Sequence, residues 1–212
     1  MEKYEKLTWK DYMGLSIRTL SKLTESQNSN NSARVTLHDL VDDEEVSTLS
    51  MTLDRVHCAM GVVSETQELV DAIKNDDIIN IGEEIADHCW YLSNLLYIGN
   101  NYQIDYSFNF EFVENRILNF LLPMVQILVL HECNHYIIDS AKKELAYGKE
   151  NQINHIMIAD YLEKLMTLSN HYNLDMHVIL AKNINKLYVR YPDKFTSENA
   201  IYKNIANERK EL

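Results

Sequence analysis

Residues that turn or break a polypeptide are scarce in this chain of 212 residues, which contains only 5 glycines and 2 prolines. All-β and Rossmann-type chains need many more of these residues to build their corners. The scarcity therefore predicts long helices with few turns. We expect an all-α fold, an antiparallel bundle of about five to seven helices.

Cysteine and continuous apolar sequence are scarce as well. The three cysteines, Cys58, Cys89 and Cys133, are odd in number and match no zinc or redox spacing. They are expected to be reduced in a cytoplasmic protein. The N-terminal sequence MEKYEKLTWK has no apolar core of a signal peptide. The most apolar stretch, 117–130, is too short to span a bilayer, so we expect no membrane partner.

Basic residues are in the minority, with 20 lysines and arginines against 32 acidic residues and a net charge of −12. The sequence contains no basic patch or stripe of the kind that binds nucleic acid, so we expect no nucleic-acid partner. The acidic excess would attract Mg²⁺ or Mn²⁺, and a bound cation can then recruit phosphate.

Apolar residues at helical spacing predict where the helices lie. Thr52 is the predicted N-cap of the clearest helix, and residues 75–77 form the turn to the next one. Because this connection is short, the two helices are expected to be antiparallel neighbours. Pro123 predicts a kink or break in a later helix. The predicted helices span 4–23, 35–49, 52–75, 78–99, 109–147, 152–171 and 175–190.

Two pairs of acidic residues stand on the consecutive helices 52–75 and 78–99. Glu65 and Glu68 are three positions apart, and so are Glu84 and Asp87, so each pair lies on one helix face. If these faces meet, four carboxylates converge and repel one another. A hard divalent cation relieves that repulsion, since Mg²⁺ and Mn²⁺ prefer oxygen ligands. Acid pairs are common on solvated helices, but apolar residues flank these two pairs and indicate a nearby core.

The same blocks resemble the MazG-like all-α nucleoside triphosphate pyrophosphohydrolases, which carry E-x-x-E, a spacer and E-x-x-D. The first block reads HCAMGVVSETQELVDAIK over 57–74, and the second reads EEIADHCWYL over 83–92. A glycine in the first block, a lysine after the second Glu and Trp-Tyr-Leu after the Asp are also typical of the family. Gln67 departs from the pattern, because the family often has Gly there. The resemblance covers roughly 10–23, 53–98 and 153–195.

A further stretch, KNINKLYVRYPDKF over 182–195, is similar to the closing helix of the family. The resemblance implies that Asn183, Lys186 and Arg190 bind the phosphates of the substrate, together with Lys74. It implies that the four acids are catalytic ligands of Mg²⁺, with Mn²⁺ as the alternative. The implied reaction splits a nucleoside triphosphate into the monophosphate and pyrophosphate. The implied assembly is a homo-oligomer, a dimer or a tetramer.

Two other functions stay open. A MazG-like scaffold without catalysis would be a nucleotide-binding or regulatory module. The motif His131-Glu132-x-x-His135 matches that of zinc metalloproteases, which place two histidines one turn apart on a helix. A zinc protease also needs a third ligand and a strand for its substrate, and no strand is predicted here. The structural alternative is that both histidines are partly buried polar residues.

The whole chain, 1–212, is expected to form a single domain. The triplet at 85–87, Ile-Ala-Asp, recurs at 158–160, and an early acid precedes each triplet, Glu65 or Glu132. Residues 100–152 are therefore either an insertion or a degenerate second copy of the helix pair 53–98. Residues 153–195 then supply the closing helices.

Overall fold

The computed structural model describes residues 3–20, 43–104, 112, 122–149, 153, 155–202 and 205–211. Every regular element in these residues is a helix, so the predicted all-α class is confirmed. Among them, no helix is both long and apolar enough to cross a membrane. In chain order the elements are α1 (Trp9–Ser16), a 3-10 helix (Ile17–Thr19), α2 (Asp43–Lys74), α3 (Ile78–Gly99), α4 (Pro123–Tyr147), α5 (His155–His171), α6 (Met176–Arg190), α7 (Ser197–Ile201) and α8 (Ile205–Glu208).

Helix α2 begins well before its predicted start. It runs from Asp43 to Lys74, so the prediction of an N-cap at Thr52 is wrong. Thr52 lies inside the helix, and its hydroxyl donates to a carboxylate oxygen of Glu144 at 3.0 Å. A tertiary partner thus satisfies a side chain that would otherwise favour a helix start. Of the predicted helix 35–49, the part from 43 onward belongs to α2 and the rest lies outside the described residues.

Local capping groups set several other helix ends. Asp77 and Asp175 accept backbone N–H hydrogen bonds and start α3 and α6. Pro123 occupies the first turn of α4, where its missing N–H costs nothing, so it starts this helix and does not kink it. The segment predicted to precede it in the same helix lies largely outside the described residues. Gly148 ends α4 with φ of 60°, a left-handed conformation that glycine adopts without strain.

Five long helices of the described residues pack around one core. Helices α2 and α3 lie side by side, and the short connection 75–77 makes them antiparallel, as predicted. Helix α4 packs on α2, and α5 packs on α3 and α4. Helix α6 covers α3 from the other side and contacts α1. The apolar stripes meet between the helices, where Leu69, Ile85, Leu130 and Leu162 are fully buried.

A chain of buried polar side chains crosses the centre of the bundle, with one member from each of α2, α3, α4 and α5. The Tyr161 hydroxyl donates to Asn134 Oδ1 at 2.7 Å, and Asn134 Nδ2 donates to Thr66 Oγ1 at 2.7 Å. His88 Nε2 lies 3.0 Å from Thr66 Oγ1, and His88 Nδ1 lies 2.7 Å from the Glu84 carbonyl oxygen. Because all four side chains are buried, each depends on these partners to satisfy its polar atoms.

One ion pair also lies inside the bundle, between α2 and α4. Arg55 Nε is 2.9 Å from both carboxylate oxygens of Glu144, and the Thr52 hydroxyl donates to one of these oxygens, Oε1. Thr52 precedes Glu65 by more than three turns of α2, or roughly 20 Å along the helix axis. The ion pair therefore joins α2 to α4 far from the acidic residues.

We predict that Gly61→Ala destabilises the protein, although alanine normally favours a helix over glycine by about 1 kcal/mol. A Cβ at Gly61 would lie 2.2 Å from Cε1 of Tyr91, so the ring or the backbone has to move. Overpacking of this kind costs about 1–3 kcal/mol, which urea unfolding can measure. In a Tyr91→Ala background the same substitution should stabilise the protein. Equal destabilisation in both backgrounds would contradict the steric explanation.

Candidate functional site

Three of the four predicted acids converge where α2 and α3 face each other. Glu65 from α2, and Glu84 and Asp87 from α3, each offer a carboxylate oxygen, and these oxygens lie within 4.8 Å of one another. The three-residue spacing puts the two acids of α3 on one helix face. Within the described residues, no other group of three His, Cys, Asp or Glu side chains is close enough to share a cation.

The fourth predicted acid, Glu68, lies one turn further along α2. Its side chain is exposed and stays outside the group of three, but it lines the same cavity. The cavity has a volume of about 640 Å³. Its lining combines acids (Glu65, Glu68, Glu83, Glu84, Asp87, Glu208), arginines (Arg190, Arg209), polar residues (Thr19, His57, Asn80) and an apolar, mainly aromatic wall (Trp90, Tyr91, Leu187, Tyr191, Phe195, Ala200).

Burial and mutual repulsion favour the protonated forms of two of these carboxyl groups. The pKa of Glu65 is raised from its ordinary value of 4.5, first by burial and then by the charge of Asp87. Burial and Asp87 raise the pKa of Glu84 in the same way. Glu84 is only 5% exposed, and its Oε2 has no hydrogen-bond partner within the described residues. A buried carboxylate oxygen that has no hydrogen-bond partner and lies in a crowded acidic group is suited to bind a cation.

Two residues of α6 hold the third carboxylate, Asp87. Lys186 Nζ lies 2.8 and 2.7 Å from the two Asp87 oxygens and 3.0 Å from Glu83 Oε1. Asn183 Nδ2 donates to Asp87 Oδ1 at 2.5 Å. Lys186 is only 1% exposed; burial would lower its pKa, but the charges of Asp87 and Glu83 outweigh burial and raise it. The Lys186 ammonium group and the Asn183 amide thus hold the Asp87 carboxylate from the side of the protein interior.

This position differs from the one that the resemblance implies for Asn183 and Lys186. They contact Asp87 from the protein interior and do not line the cavity. The physical reason is that the buried ammonium group of Lys186 needs charged partners, which Asp87 and Glu83 provide. Lys74, the fourth predicted substrate-binding residue, lies at the exposed end of α2. It pairs with Asp71 at 3.5 Å and is also outside the cavity lining.

Arg190 does line the cavity, but it is engaged by an acid of the C-terminal segment. Its Nε lies 3.0 Å from Oε1 of Glu208, in α8, and its Nη2 contacts the other carboxylate oxygen. Arg209, the next residue, also lines the cavity. Glu208 and Arg209 were not predicted as site residues, because the sequence NERK resembles an ordinary solvated charge run.

The histidine motif on α4 does not form a comparable site. His131, Glu132 and His135 are all exposed, so the expectation of partly buried histidines is wrong. Among the residues that the structure describes, no third His, Cys, Asp or Glu joins them in a metal-binding group. The described elements also include no strand that could hold a peptide substrate.

Fold and site together define an all-α bundle with a carboxylate cluster between two consecutive antiparallel helices. Residues 57–120 match the family model of the MazG nucleotide pyrophosphohydrolase domain. The predicted resemblance is confirmed over this segment, which contains all four acids and indicates nucleotide pyrophosphohydrolase activity. The family is typically dependent on a divalent metal. No curated protein and no solved structure matches the chain.

We predict that the metal-free protein loses stability as the pH rises. Carboxyl groups whose pKa is higher in the folded than in the unfolded state, as for Glu65 and Glu84, contribute stability that is complete below about pH 4.5. That stability is lost as the pH rises through the raised values. Thermal unfolding between about pH 5 and pH 8 should show this loss, and Mn²⁺ should reverse it by replacing the protons.

Two variants distinguish the repulsion among the carboxyl groups from the pairing of Asp87 with Lys186. Glu84→Gln should stabilise the metal-free protein near neutral pH, because a neutral amide removes the cost of protonating this carboxyl group when the chain folds. Asp87→Asn should destabilise it, because the buried Lys186 loses a charged partner. A rise in melting temperature for both variants would contradict the role assigned to Lys186.

Proposed function

We propose that this protein is a divalent-metal-dependent pyrophosphohydrolase that cleaves a nucleoside triphosphate into the monophosphate and pyrophosphate. The observation that carries the proposal is the group of Glu65, Glu84 and Asp87, whose carboxylate oxygens lie within 4.8 Å of one another. The group borders a cavity of about 640 Å³ and lies inside the segment 57–120 that matches the MazG domain.

The donor set fits Mg²⁺, with Mn²⁺ as the alternative. All donors are carboxylate oxygens, which both ions prefer, and the buried Glu84 Oε2 lacks another partner. Glu65, Glu84 and Asp87 would hold the cation, with Glu68 on the cavity side. When bound, a divalent cation neutralises charge and polarises phosphate oxygens. Lys186 and Asn183 keep the Asp87 oxygens in place for it, as partners of ligands do in other metal sites.

The remaining cavity walls suit the two ends of a nucleotide. Arg190 and Arg209 provide cationic groups for phosphate oxygens. Trp90, Tyr191 and Phe195 provide flat apolar surfaces against which a base can pack. In this proposal Arg190 is the phosphate-binding residue of α6, and Asn183 and Lys186 orient a ligand. Lys74 has no part in it.

The test is a hydrolysis assay that resolves monophosphate from pyrophosphate. A panel of ribo- and deoxynucleoside triphosphates is incubated with Mg²⁺, Mn²⁺ or EDTA, in water enriched in ¹⁸O. Monophosphate and pyrophosphate that form only with metal would support the proposal, and the product that carries ¹⁸O identifies the phosphorus attacked. Nucleotide binding without cleavage would favour the alternative, a regulatory nucleotide-binding module.

We expect Glu65→Gln and Glu68→Gln to lower kcat by roughly 10²-fold, the loss typical of one electrostatic contact to a transition state. Both substitutions keep the side-chain shape, so helical circular dichroism should not change. Asp71→Asn is the matched control, because Asp71 is an exposed acid on the same helix outside the cavity lining. Full activity of both glutamate variants would refute the assignment of the site.

Arg190 and Glu208 should affect the KM in opposite directions. Arg190→Ala removes a cation that binds phosphate and should raise the KM by roughly tenfold, the effect of a charged hydrogen bond of about 1.5 kcal/mol. Glu208→Gln weakens the competitor of phosphate for Arg190 and should lower the KM. Steady-state kinetics with the best substrate measures both effects. Loss of Mn²⁺ binding in Arg190→Ala would argue instead for a role in building the metal site.

We propose that the chain is one domain in which α4 and α5 are a degenerate copy of α2 and α3. Equivalent positions recur in the same arrangement. The exposed pair Asp71 and Lys74 recurs as Asp139 and Lys142. The positions of the four acids recur as Cys133, Tyr136, Met157 and Asp160, which line a small cavity of about 40 Å³ together. This alignment pairs Glu65 with Cys133 and replaces the correspondence with Glu132 suggested by the sequence.

We further propose that the enzyme acts in the cytoplasm as a homo-oligomer, a dimer or a tetramer. Light scattering coupled to size-exclusion chromatography measures the assembly directly. A monomer with full activity would show that the intrachain copy makes a second subunit unnecessary.

A further inference from the structure

The buried chain of Tyr161, Asn134, Thr66 and His88 takes no direct part in the proposed reaction, yet it borders the ligands. We propose that Asn134 and Tyr161 are positioning residues, which act through Thr66 and His88 to set the separation of the ligand-bearing turns of α2 and α3. The inference rests on the proposed function, because it assigns a purpose to those turns.

Two of the four buried, hydrogen-bonded side chains are next to proposed metal ligands in the sequence. Thr66 directly follows Glu65, and His88 directly follows Asp87. Successive residues of a helix point about 100° apart, so the carboxylates face the cavity while Thr66 and His88 face the bundle interior. The 3.0 Å contact between Thr66 Oγ1 and His88 Nε2 therefore joins α2 to α3 at the level of the ligands. A slip of one residue would shift a helix by about 1.5 Å and break this contact.

The hydrogen bonds run in one direction, toward α3. His88 Nδ1 faces the Glu84 carbonyl oxygen at 2.7 Å, and a carbonyl only accepts, so Nδ1 carries the proton. A neutral imidazole has one N–H, so Nε2 is an acceptor, and the Thr66 hydroxyl 3.0 Å away can donate to it. Thr66 in turn accepts from Asn134 Nδ2. The Tyr161 hydroxyl, by donating to Asn134 Oδ1, determines which end of the amide faces Thr66.

The Thr66 hydroxyl has a second acceptor within reach, and the hydrogen bond that it accepts from Asn134 limits how it can turn toward that acceptor. The Val62 carbonyl oxygen of its own helix lies 3.0 Å from Thr66 Oγ1. If the hydroxyl donates there, His88 Nε2 is buried without a donor and the link between α2 and α3 is lost. The second helix pair thus contributes to the site through two polar groups, although it supplies none of the metal ligands.

The experiment measures Mn²⁺ affinity of the full-length protein by electron paramagnetic resonance of the free ion. It compares Tyr161→Phe and Thr66→Val with two controls. Tyr161→Phe removes one oxygen and keeps the ring, so the fold is retained. Thr66→Ser keeps the hydroxyl. Thr52→Val repeats the Thr66→Val substitution at a buried hydroxyl of α2 that also bonds to α4, far from the ligands.

We expect Mn²⁺ to bind about 10-fold more weakly to Tyr161→Phe and Thr66→Val, the usual effect of losing a partner of a metal ligand. Thr66→Ser and Thr52→Val should bind it like the original protein, even where Thr52→Val lowers the melting temperature equally. Unchanged affinity in all variants would overturn this inference and leave the metal site standing. Absence of Mn²⁺ binding by the original protein would overturn the proposed function and this inference with it.

Nitrogen-15 NMR of the histidine rings tests the direction of the hydrogen bonds in the metal-free protein. The expected result is a neutral His88 with its proton on Nδ1. A proton on Nε2 would overturn the inference independently of metal binding, because Thr66 would then have to accept from His88.

Discussion

Carboxylates whose oxygens lie within 4.8 Å of one another repel, and the burial of Glu84 removes the water that would screen that repulsion. The folded chain meets this cost in two ways. Protons are retained on part of the group, as the raised pKa values of Glu65 and Glu84 indicate. A buried lysine, Lys186, neutralises Asp87 from behind. Neither solution occupies the cavity side of the cluster, where a divalent cation can replace the protons.

Such a cluster needs a rigid support, because repelling groups move apart when their helices are free to slide. Support comes from α6, which holds Asp87 through Lys186 and Asn183. From α4, Asn134 holds α2 beside the cluster by donating to Thr66, and Tyr161 of α5 fixes the Asn134 amide. Helices that contribute none of the three carboxylates therefore help to hold the cluster together, as the hydrogen-bond partners of metal ligands do in known metal sites.

The acid pairs show what a sequence can predict here. Three-residue spacing on two consecutive helices is a local pattern, and Glu65, Glu84 and Asp87 converge as that pattern implies. The contacts of Lys186 with Asp87 and Glu83 were not predicted, because they depend on the side from which Lys186 approaches Asp87, and sequence spacing carries no such information. Thr52 was mistaken for a helix cap because its partner, Glu144, is 92 positions away. The sequence does not predict Glu208 as a site residue, because only the folded structure places its carboxylate beside Arg190.

If the proposed function is correct, the charges around the cavity restrict how a triphosphate can enter it. Its acids, Glu65, Glu68, Glu83, Glu84, Asp87 and Glu208, outnumber its arginines, Arg190 and Arg209, so a bare polyanion meets repulsion. A triphosphate that arrives with its own divalent cation has a smaller net negative charge, so it is repelled less. It also brings the cation that the carboxylates would bind. Arg190 then becomes available only if phosphate displaces Glu208. Under the proposed function, substrate, cation and the C-terminal segment are therefore coupled, because phosphate binding would exchange one carboxylate partner of Arg190 for a phosphate.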